Sequence, residues 1–142
     1  MMNYELRAFI GISRLKNSID KRSSKLMREY DLSLPQFAVM EALYSKGDMC
    51  IGEVKKKILS TSGTMPIIVR NLKKKDYIFS YKDKKDKRRE ILSLTKKGYE
   101  LINEIFPRNQ KIIEDSFNNL NSNEMKDFVK LLKKIDNLKN LL

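Results

Sequence analysis

The chain has 142 residues, of which 41% are hydrophobic and 34% charged. That is enough for one folded domain and too apolar for a disordered one. Lysine and arginine number 30 against 18 acidic residues, a formal charge of +12, which indicates a polyanionic partner, with nucleic acid first. Histidine is absent and Cys50 is the single cysteine, which excludes an intrachain disulfide, a thiolate metal cluster and the common nucleophile–base pairs. We therefore expect no enzyme, metal or cofactor.

The first ten residues do not resemble a signal peptide. Residues 1–10 include Glu5 and Arg7 among the apolar residues and lack the basic start and apolar block of a signal peptide. No stretch approaches the roughly 20 apolar residues of a membrane span. These features predict a cytoplasmic protein with no membrane partner.

The first half of the chain predicts four helices. Apolar residues at helical spacing predict a helix over residues 6–30. Ser33 and Gln36 have capping-box spacing around Pro35, so a second helix should begin at Leu34 and end near Tyr44, before Gly47. Residues 51–59 and 65–75 predict two short helices joined by a hydroxyl-rich turn, which is the helix-turn-helix pattern.

A β-hairpin and two more helices should follow. The strand-like segments 77–81 and 90–94 flank the polar segment 82–89, which holds six cations and two carboxylates and predicts a hairpin with a cationic tip. A helix-turn-helix followed by such a hairpin is a winged helix. Beyond Gly98 we expect a fifth helix, and a last helix from about Asn121 or Ser122. The last helix has more apolar surface than one small module needs, so with the first helix it indicates an intermolecular core.

The positive charge is concentrated in one quarter of the sequence. Residues 55–90 hold 13 Lys and Arg against 4 Asp and Glu, so +9 of the formal charge lies in the predicted helix-turn-helix and wing. A lysine run alone is usually a solvated helix face, but here it coincides with a DNA-binding motif. Hydroxyl and apolar side chains around the start of the fourth helix are candidates for reading base edges, or for simple capping and packing. The predicted DNA-binding residues are Ser60, Thr61, Ser62, Thr64, Met65, Arg70, Lys73, Lys74, Lys84, Lys85, Asp86, Lys87, Arg88 and Arg89.

The chain resembles MarR-family regulators over nearly its whole length. The recognition-helix segment is similar to residues 61–64 leading to residues 72–78, and the wing signature is matched by Asp86-Lys87-Arg88 followed by residues 91–98, which end in Leu-Thr-x-x-Gly. The resemblance implies a single domain over 1–142, with a winged helix-turn-helix over about 33–98 and dimerisation helices over about 1–30 and 99–142. The implied fold is mainly α with a small β-hairpin wing.

The same resemblance implies a function. It predicts a homodimeric, sequence-specific regulator that binds double-stranded DNA, with recognition helices in the major groove about one turn apart. Arg88 would enter the minor groove while Asp86 orients the wing; the alternative for Arg88 is a surface ion pair with Asp83 or Asp86. We expect a repressor, the family default, released by a small molecule, such as a phenol, or by another stress signal.

Three positions depart from the family pattern. Pro66 stands where Thr is frequent and Arg70 where Asp is common, and both bear on which DNA sequence is read. Asp76 replaces a turn Gly, a change that Asp tolerates.

We expect Cys50 to be an ordinary small core residue, since free cysteine is commonly buried.

Two other functions for a winged helix stay open from the sequence. One is binding to RNA or to another protein, because fold alone does not fix function. Readers of single strands present exposed aromatic platforms, whereas the alternating Tyr77, Phe79 and Tyr81 should have at least one face packed inward; Tyr81 is the wing aromatic we expect to approach nucleic acid. A membrane-surface role is weaker, because the cations are divided between helices and a hairpin.

Overall fold

The computed structural model describes residues 3–58 and 64–135. In these ranges the fold is mainly helical with one small sheet, as the sequence predicted. The elements in chain order are α1 (Tyr4–Arg28), α2 (Leu34–Lys46), β1 (Met49–Cys50), α3 (Ile51–Ile58), α4 (Met65–Lys74), β2 (Ile78–Lys82), β3 (Glu90–Leu94), α5 (Lys96–Asp115) and α6 (Ser122–Lys134).

Local capping chemistry fixes the helix ends. Ser33 and Gln36 form the predicted capping box at the start of α2, and Gly47, with a φ of 86°, ends that helix. Asn121 and Glu124 form a second capping box at the start of α6. Because each box satisfies two N–H groups that a helix leaves unpaired, these boundaries could be found from residues three apart in the sequence.

The sheet has the strand order β1-β3-β2, and both pairings are antiparallel. Met49 pairs with Leu92 and Ile78 pairs with Leu94. β1 was not predicted, because two residues are too few to show a periodic pattern. β2 begins one residue later than predicted: the N–H of Tyr77 donates to the Leu72 carbonyl at 3.0 Å, which places Tyr77 in the turn.

The core of the described chain lies between α2, α4, the sheet and the first half of α5. Its fully buried side chains include Val39, Met40, Val54, Leu72, Ile78, Leu92, Ile102 and Ile105. The terminal helices contribute little to it. In α1 the buried residues are Ser23, Leu26 and Met27, and none of the described residues of α6 is buried.

Candidate nucleic-acid interface

Helix α4 presents a cationic face opposite a buried one. Its buried residues, Met65, Ile68, Val69 and Leu72, recur at helical spacing and pack into the core. The opposite side is exposed, and it holds Pro66, Ile67, Arg70 and Lys74. This division leaves two of the predicted cations available to a ligand on the surface of the helix.

Several predicted residues lie near the start of this helix. Thr64 is exposed and stands directly before α4, whereas Ser60, Thr61 and Ser62 lie outside the described residues. The prediction for Met65 is wrong in this structure, because its side chain is only 2% exposed and belongs to the core. A side chain buried in this way cannot offer its tip to a DNA groove.

Ile67 was not among the predicted site residues, but it is 49% exposed on the cationic face of α4. An exposed β-branched side chain beside Arg70 is suited to contact with a thymine methyl group. The signal was present in the sequence: once Met65, Ile68, Val69 and Leu72 are assigned to one stripe, Ile67 must lie on the other side.

The hairpin tip carries the second group of cations. Lys84, Lys85 and Lys87 are exposed, and the Arg88 side chain is 92% exposed. One carboxylate oxygen of Asp86 accepts hydrogen bonds from both the backbone N–H and the Nε of Arg88, each at 3.1 Å. These bonds lower the pKa of Asp86, and they form the surface ion pair that was the alternative predicted for Arg88.

Arg89, the last of the predicted cations, folds back against α3. Its guanidinium lies 2.7 Å from a Glu53 carboxylate oxygen and 3.6 Å from Asp83, and 3.3 Å from the sulfur of Cys50. These contacts hold the base of the wing to α3. They also correct the expectation for Cys50, which is half-buried on β1 between Arg89 and Glu53 and is not a core residue.

The base of the wing explains the Leu-Thr-x-x-Gly signature. Thr95 caps α5 through the N–H of Gly98 at 2.9 Å, and its own hydroxyl donates to the Asp76 carbonyl at 2.6 Å. A Cβ on Gly98 would lie 2.0 Å from the Tyr77 carbonyl oxygen, so only glycine fits there. Asp76 has a φ of 61°, and it adopts the turn conformation for which the family pattern has glycine.

A groove of about 560 Å³ lies between α4 and the base of the wing. Its lining residues are Ile51, Pro66, Val69, Arg70, Lys73, Lys74 and Glu90. Within it, the Lys73 ammonium lies 3.0 Å from a Glu90 carboxylate oxygen, which also accepts a hydrogen bond from the Ser80 hydroxyl at 2.5 Å. The groove therefore brings three predicted cations together, but one of them already has an anionic partner.

The aromatic residues of the wing lie on its outer face. Ile78 is buried, whereas Phe79 and Tyr81 are exposed and their ring centroids are 6.3 Å apart. The inward face of β2 is thus the one without the aromatic residues. The Tyr81 hydroxyl donates to Asp48 at 2.7 Å, which raises the pKa of Tyr81. Tyr81 is the residue that we expected to approach nucleic acid, and its hydroxyl already has Asp48 as a hydrogen-bond partner.

A second cleft, of about 400 Å³, lies among α1, α2 and α5. Its lining is largely apolar, with Ile19, Leu34, Phe37 and Ile113 among the residues that form it. Asn109 also lines it, and this side chain is nine-tenths buried. Its Oδ1 has no hydrogen-bond partner. Every other buried side-chain oxygen or nitrogen of the described residues has one. An unpaired buried acceptor is energetically costly.

The terminal helices expose large apolar side chains. Phe9 on α1 is 68% exposed and Leu131 on α6 is 59% exposed. A surface depression between α5 and α6 is lined by Phe117, Met125 and Val129. In the described ranges no helix is long and apolar enough to span a membrane, and no cluster of metal-ligating side chains occurs.

Comparison with known proteins gives a consistent result. The family model described as transcriptional regulator SarA/Rot matches residues 21–105. The HTH-type transcriptional regulator MhqR of Bacillus subtilis (strain 168) is 31% identical over 135 residues, which cover 95% of this chain and 93% of MhqR.

Two solved structures show the same fold. AbsC, a MarR family transcriptional regulator from Streptomyces coelicolor, has a TM-score of 0.84 at 14% identity and covers 95% of this chain and 93% of its own. The organohalide-sensing regulator RdhR, in its 2,4-dichlorophenol-bound form, has a TM-score of 0.82 at 19% identity, over 96% of this chain and 82% of its own. At these identities the likeness shows the fold alone.

Proposed function

The chain belongs to the SarA/Rot family of transcriptional regulators and has the MarR-family winged-helix fold, and we propose that it acts as a cytoplasmic, homodimeric repressor that reads double-stranded DNA. Helix α4 enters the major groove, where Arg70 and Lys74 meet phosphates and base edges. The wing tip follows the adjacent minor groove, into which Arg88 inserts. Lysines 84, 85 and 87 neutralise the flanking phosphates.

The observation that carries this proposal is the juxtaposition of the two cationic elements across one groove. Lys73 on α4 and Glu90 on β3 are 3.0 Å apart, so recognition helix and wing base are in direct contact. A duplex has its major and minor grooves side by side, with one sugar-phosphate strand between them. We propose that this strand lies over the groove that Arg70 and Lys74 line.

Dimerisation is inferred from the terminal helices. The exposed Phe9 and Leu131 are apolar surface that a monomer would leave in water, and such surface is typical of an interaction site. A second copy of the same chain is the occupant that we propose, since two recognition helices related by a twofold axis match a pseudo-palindromic operator.

The proposed effector site is the cleft among α1, α2 and α5. Its apolar walls suit an aromatic ring, and the unpaired Oδ1 of Asn109 would accept a hydrogen bond from a ring hydroxyl. RdhR, which shares the fold, is described with 2,4-dichlorophenol bound. A phenol in this cleft would contact helices of both the dimerisation and the DNA-binding regions. It would release DNA if it bound the non-operator conformation better.

The test of DNA binding is a salt titration on the DNA upstream of the protein's own gene, against random duplex and single-stranded RNA of equal length. Specific, salt-sensitive duplex binding with one dimer per site is expected. Preference for the RNA would overturn the proposal in favour of the RNA-binding alternative. Equal binding to both duplexes would contradict sequence-specific reading of this DNA.

The test of the effector site uses 2,4-dichlorophenol and, as its matched control, 1,3-dichlorobenzene, which has the same ring without the hydroxyl. Calorimetry on the wild type and on Asn109→Leu should show phenol binding that is about tenfold weaker in the variant, because a hydrogen bond contributes roughly 1 kcal/mol or more. Dichlorobenzene binding should not change between the two proteins. If the variant bound the phenol as the wild type does, Asn109 would not be the acceptor.

A further inference from the structure

Glu90 is an acidic residue inside the cationic surface proposed to bind DNA. It is the first residue of β3 and lines the groove together with Arg70, Lys73 and Lys74. A carboxylate at this position repels a phosphate strand lying over the groove. Its effect on binding therefore opposes that of its neighbours.

Two donors hold the Glu90 side chain in place. The Ser80 hydroxyl, on the neighbouring strand β2, donates to its Oε1 at 2.5 Å, and the Lys73 ammonium donates to the same oxygen at 3.0 Å. The hydrogen bond from Ser80, followed by that from Lys73, lowers the pKa of Glu90. The carboxylate is thus ionised at neutral pH, and its position is set by the sheet as well as by the lysine.

Glu90 lies on the face of β3 that packs toward the helices, although its side chain is 45% exposed. Side chains alternate along a strand, so Glu90 shares its face with the buried Leu92. Across the β2–β3 ladder it pairs with Lys82, whose charge also lowers the pKa of Glu90. This orientation aims the carboxylate at α4 and makes Lys73 its partner there.

We propose that Glu90 is a positioning residue that restrains Lys73 and so limits the affinity of the protein for DNA. The Lys73 ammonium is paired with Glu90 and does not neutralise a phosphate, although it stands on the recognition helix. The inference rests on the proposed function, since it requires that a duplex lies over this groove. Lys73 was predicted to contact a phosphate, and the proposal is that its pairing with Glu90 prevents this contact.

A salt titration tests whether Lys73 neutralises a phosphate. The slope of log affinity against log salt reports the number of phosphates that the protein neutralises, at about 0.9 per contact on duplex DNA. The proteins to compare are the wild type, Lys73→Met, Glu90→Gln and the double variant, on random and promoter duplexes. Glu90→Gln should bind about fivefold more tightly at low salt, with a slope steeper by about 0.9 per protomer. Lys73→Met and the double variant should both keep the wild-type slope.

Asp127→Asn supplies the matched control. It removes one negative charge from an exposed position of α6, on the side of that helix opposite Met125, Phe128, Val129 and Leu132. We expect it to leave the slope unchanged, so that an effect of net charge alone is separated from the release of Lys73. Ser80→Ala, which removes one donor that holds Glu90, should shift the slope in the same direction as Glu90→Gln, by a smaller amount, and gives a second route if Glu90→Gln folds poorly.

Two results would overturn the inference. A shallower slope for Lys73→Met than for the wild type would mean that Lys73 contacts a phosphate in spite of Glu90. A wild-type slope for both Glu90→Gln and Ser80→Ala, with folding intact by circular dichroism, would mean that Glu90 restrains nothing. Failure of the wild type to bind either duplex would instead overturn the proposed function itself, and with it the premise of this inference.

Discussion

The winged-helix region and the terminal helices differ in how their side chains are packed. In the winged helix, α2, α4 and the sheet bury Met40, Leu72 and Leu92 completely, and polar contacts such as Arg89 with Glu53 connect the wing to the helices. The terminal helices leave Phe9 and Leu131 more than half exposed, and none of the described residues of α6 is buried. One region is packed within a single chain, whereas the other offers apolar surface to a partner.

The difference separates two functions along one chain. A region packed against itself can hold cations in fixed positions toward a rigid polyanion. In the proposed dimer, a second copy covers the apolar surface of the terminal helices and so sets the spacing between the two copies of α4. The following predictions test this division, beginning with the largest expected effect.

Charging the apolar surface of the terminal helices should abolish the dimer. In Phe9→Asp with Leu131→Asp, both side chains are exposed within the single chain, so little intrachain packing is lost. We expect a folded monomer by light scattering and a DNA affinity lower by about 10²- to 10⁴-fold, because two linked half-site contacts become one. Phe79→Asp, an exposed aromatic on the wing, should stay dimeric. A double variant that remained a dimer would contradict the proposal that the terminal helices form the dimer interface.

Substitution of Gly98 should damage the winged-helix region from inside. The added Cβ of Gly98→Ala would lie 2.0 Å from the Tyr77 carbonyl oxygen, so α5 or the turn before β2 must move. We expect the free energy of unfolding to fall by about 3 kcal/mol. Gly52→Ala is the control, since its Cβ meets nothing within 4 Å and alanine favours a helix by up to about 1 kcal/mol. Urea unfolding at one protein concentration measures both; equal stability of the two variants would contradict the close approach.

Removal of the Arg88 side chain should weaken operator binding without changing the fold. The side chain is 92% exposed and bonds to Asp86 at the hairpin tip, so Arg88→Ala costs little stability. We expect affinity for the promoter duplex to fall by about tenfold or more. Lys87→Ala, its exposed neighbour, should weaken binding to promoter and random duplexes alike and reduce the salt slope by about 0.9 per protomer. Unchanged affinity of Arg88→Ala in fluorescence anisotropy would remove the wing from the proposed interface.

Removal of the two helix caps should have the smallest effect on stability, and it compares the two regions by the same kind of substitution. Ser33→Ala at α2 and Asn121→Ala at α6 each remove one cap, and each should cost about 1 kcal/mol. For Ser33→Ala the loss should be independent of protein concentration, because α2 is packed within one chain. For Asn121→Ala it should appear as a weaker dimer in sedimentation equilibrium. The same concentration dependence for both variants would argue against two separate regions.

The elements that were predicted correctly depend on short-range chemistry. Ser33 with Gln36, Asn121 and Gly47 fix helix ends through groups at most a few residues away, and the cations of the wing tip follow from the segment between two strands. The signature that ends at Gly98 could be recognised as a pattern, although its reason, the approach of the Tyr77 carbonyl, is visible only in the fold.

Periodicity, capping and charge are local, so the set of helices, the hairpin and the concentration of charge between residues 55 and 90 could be predicted from the sequence. The partner of each side chain depends instead on the tertiary fold. Met65 turns into the core, Cys50 lies between Arg89 and Glu53, and the wing aromatics face outward. The pairing of Lys73 with Glu90 joins residues 17 apart. Such contacts depend on which faces of distant elements pack together, and that is decided by burial over the whole chain and not by neighbours in sequence.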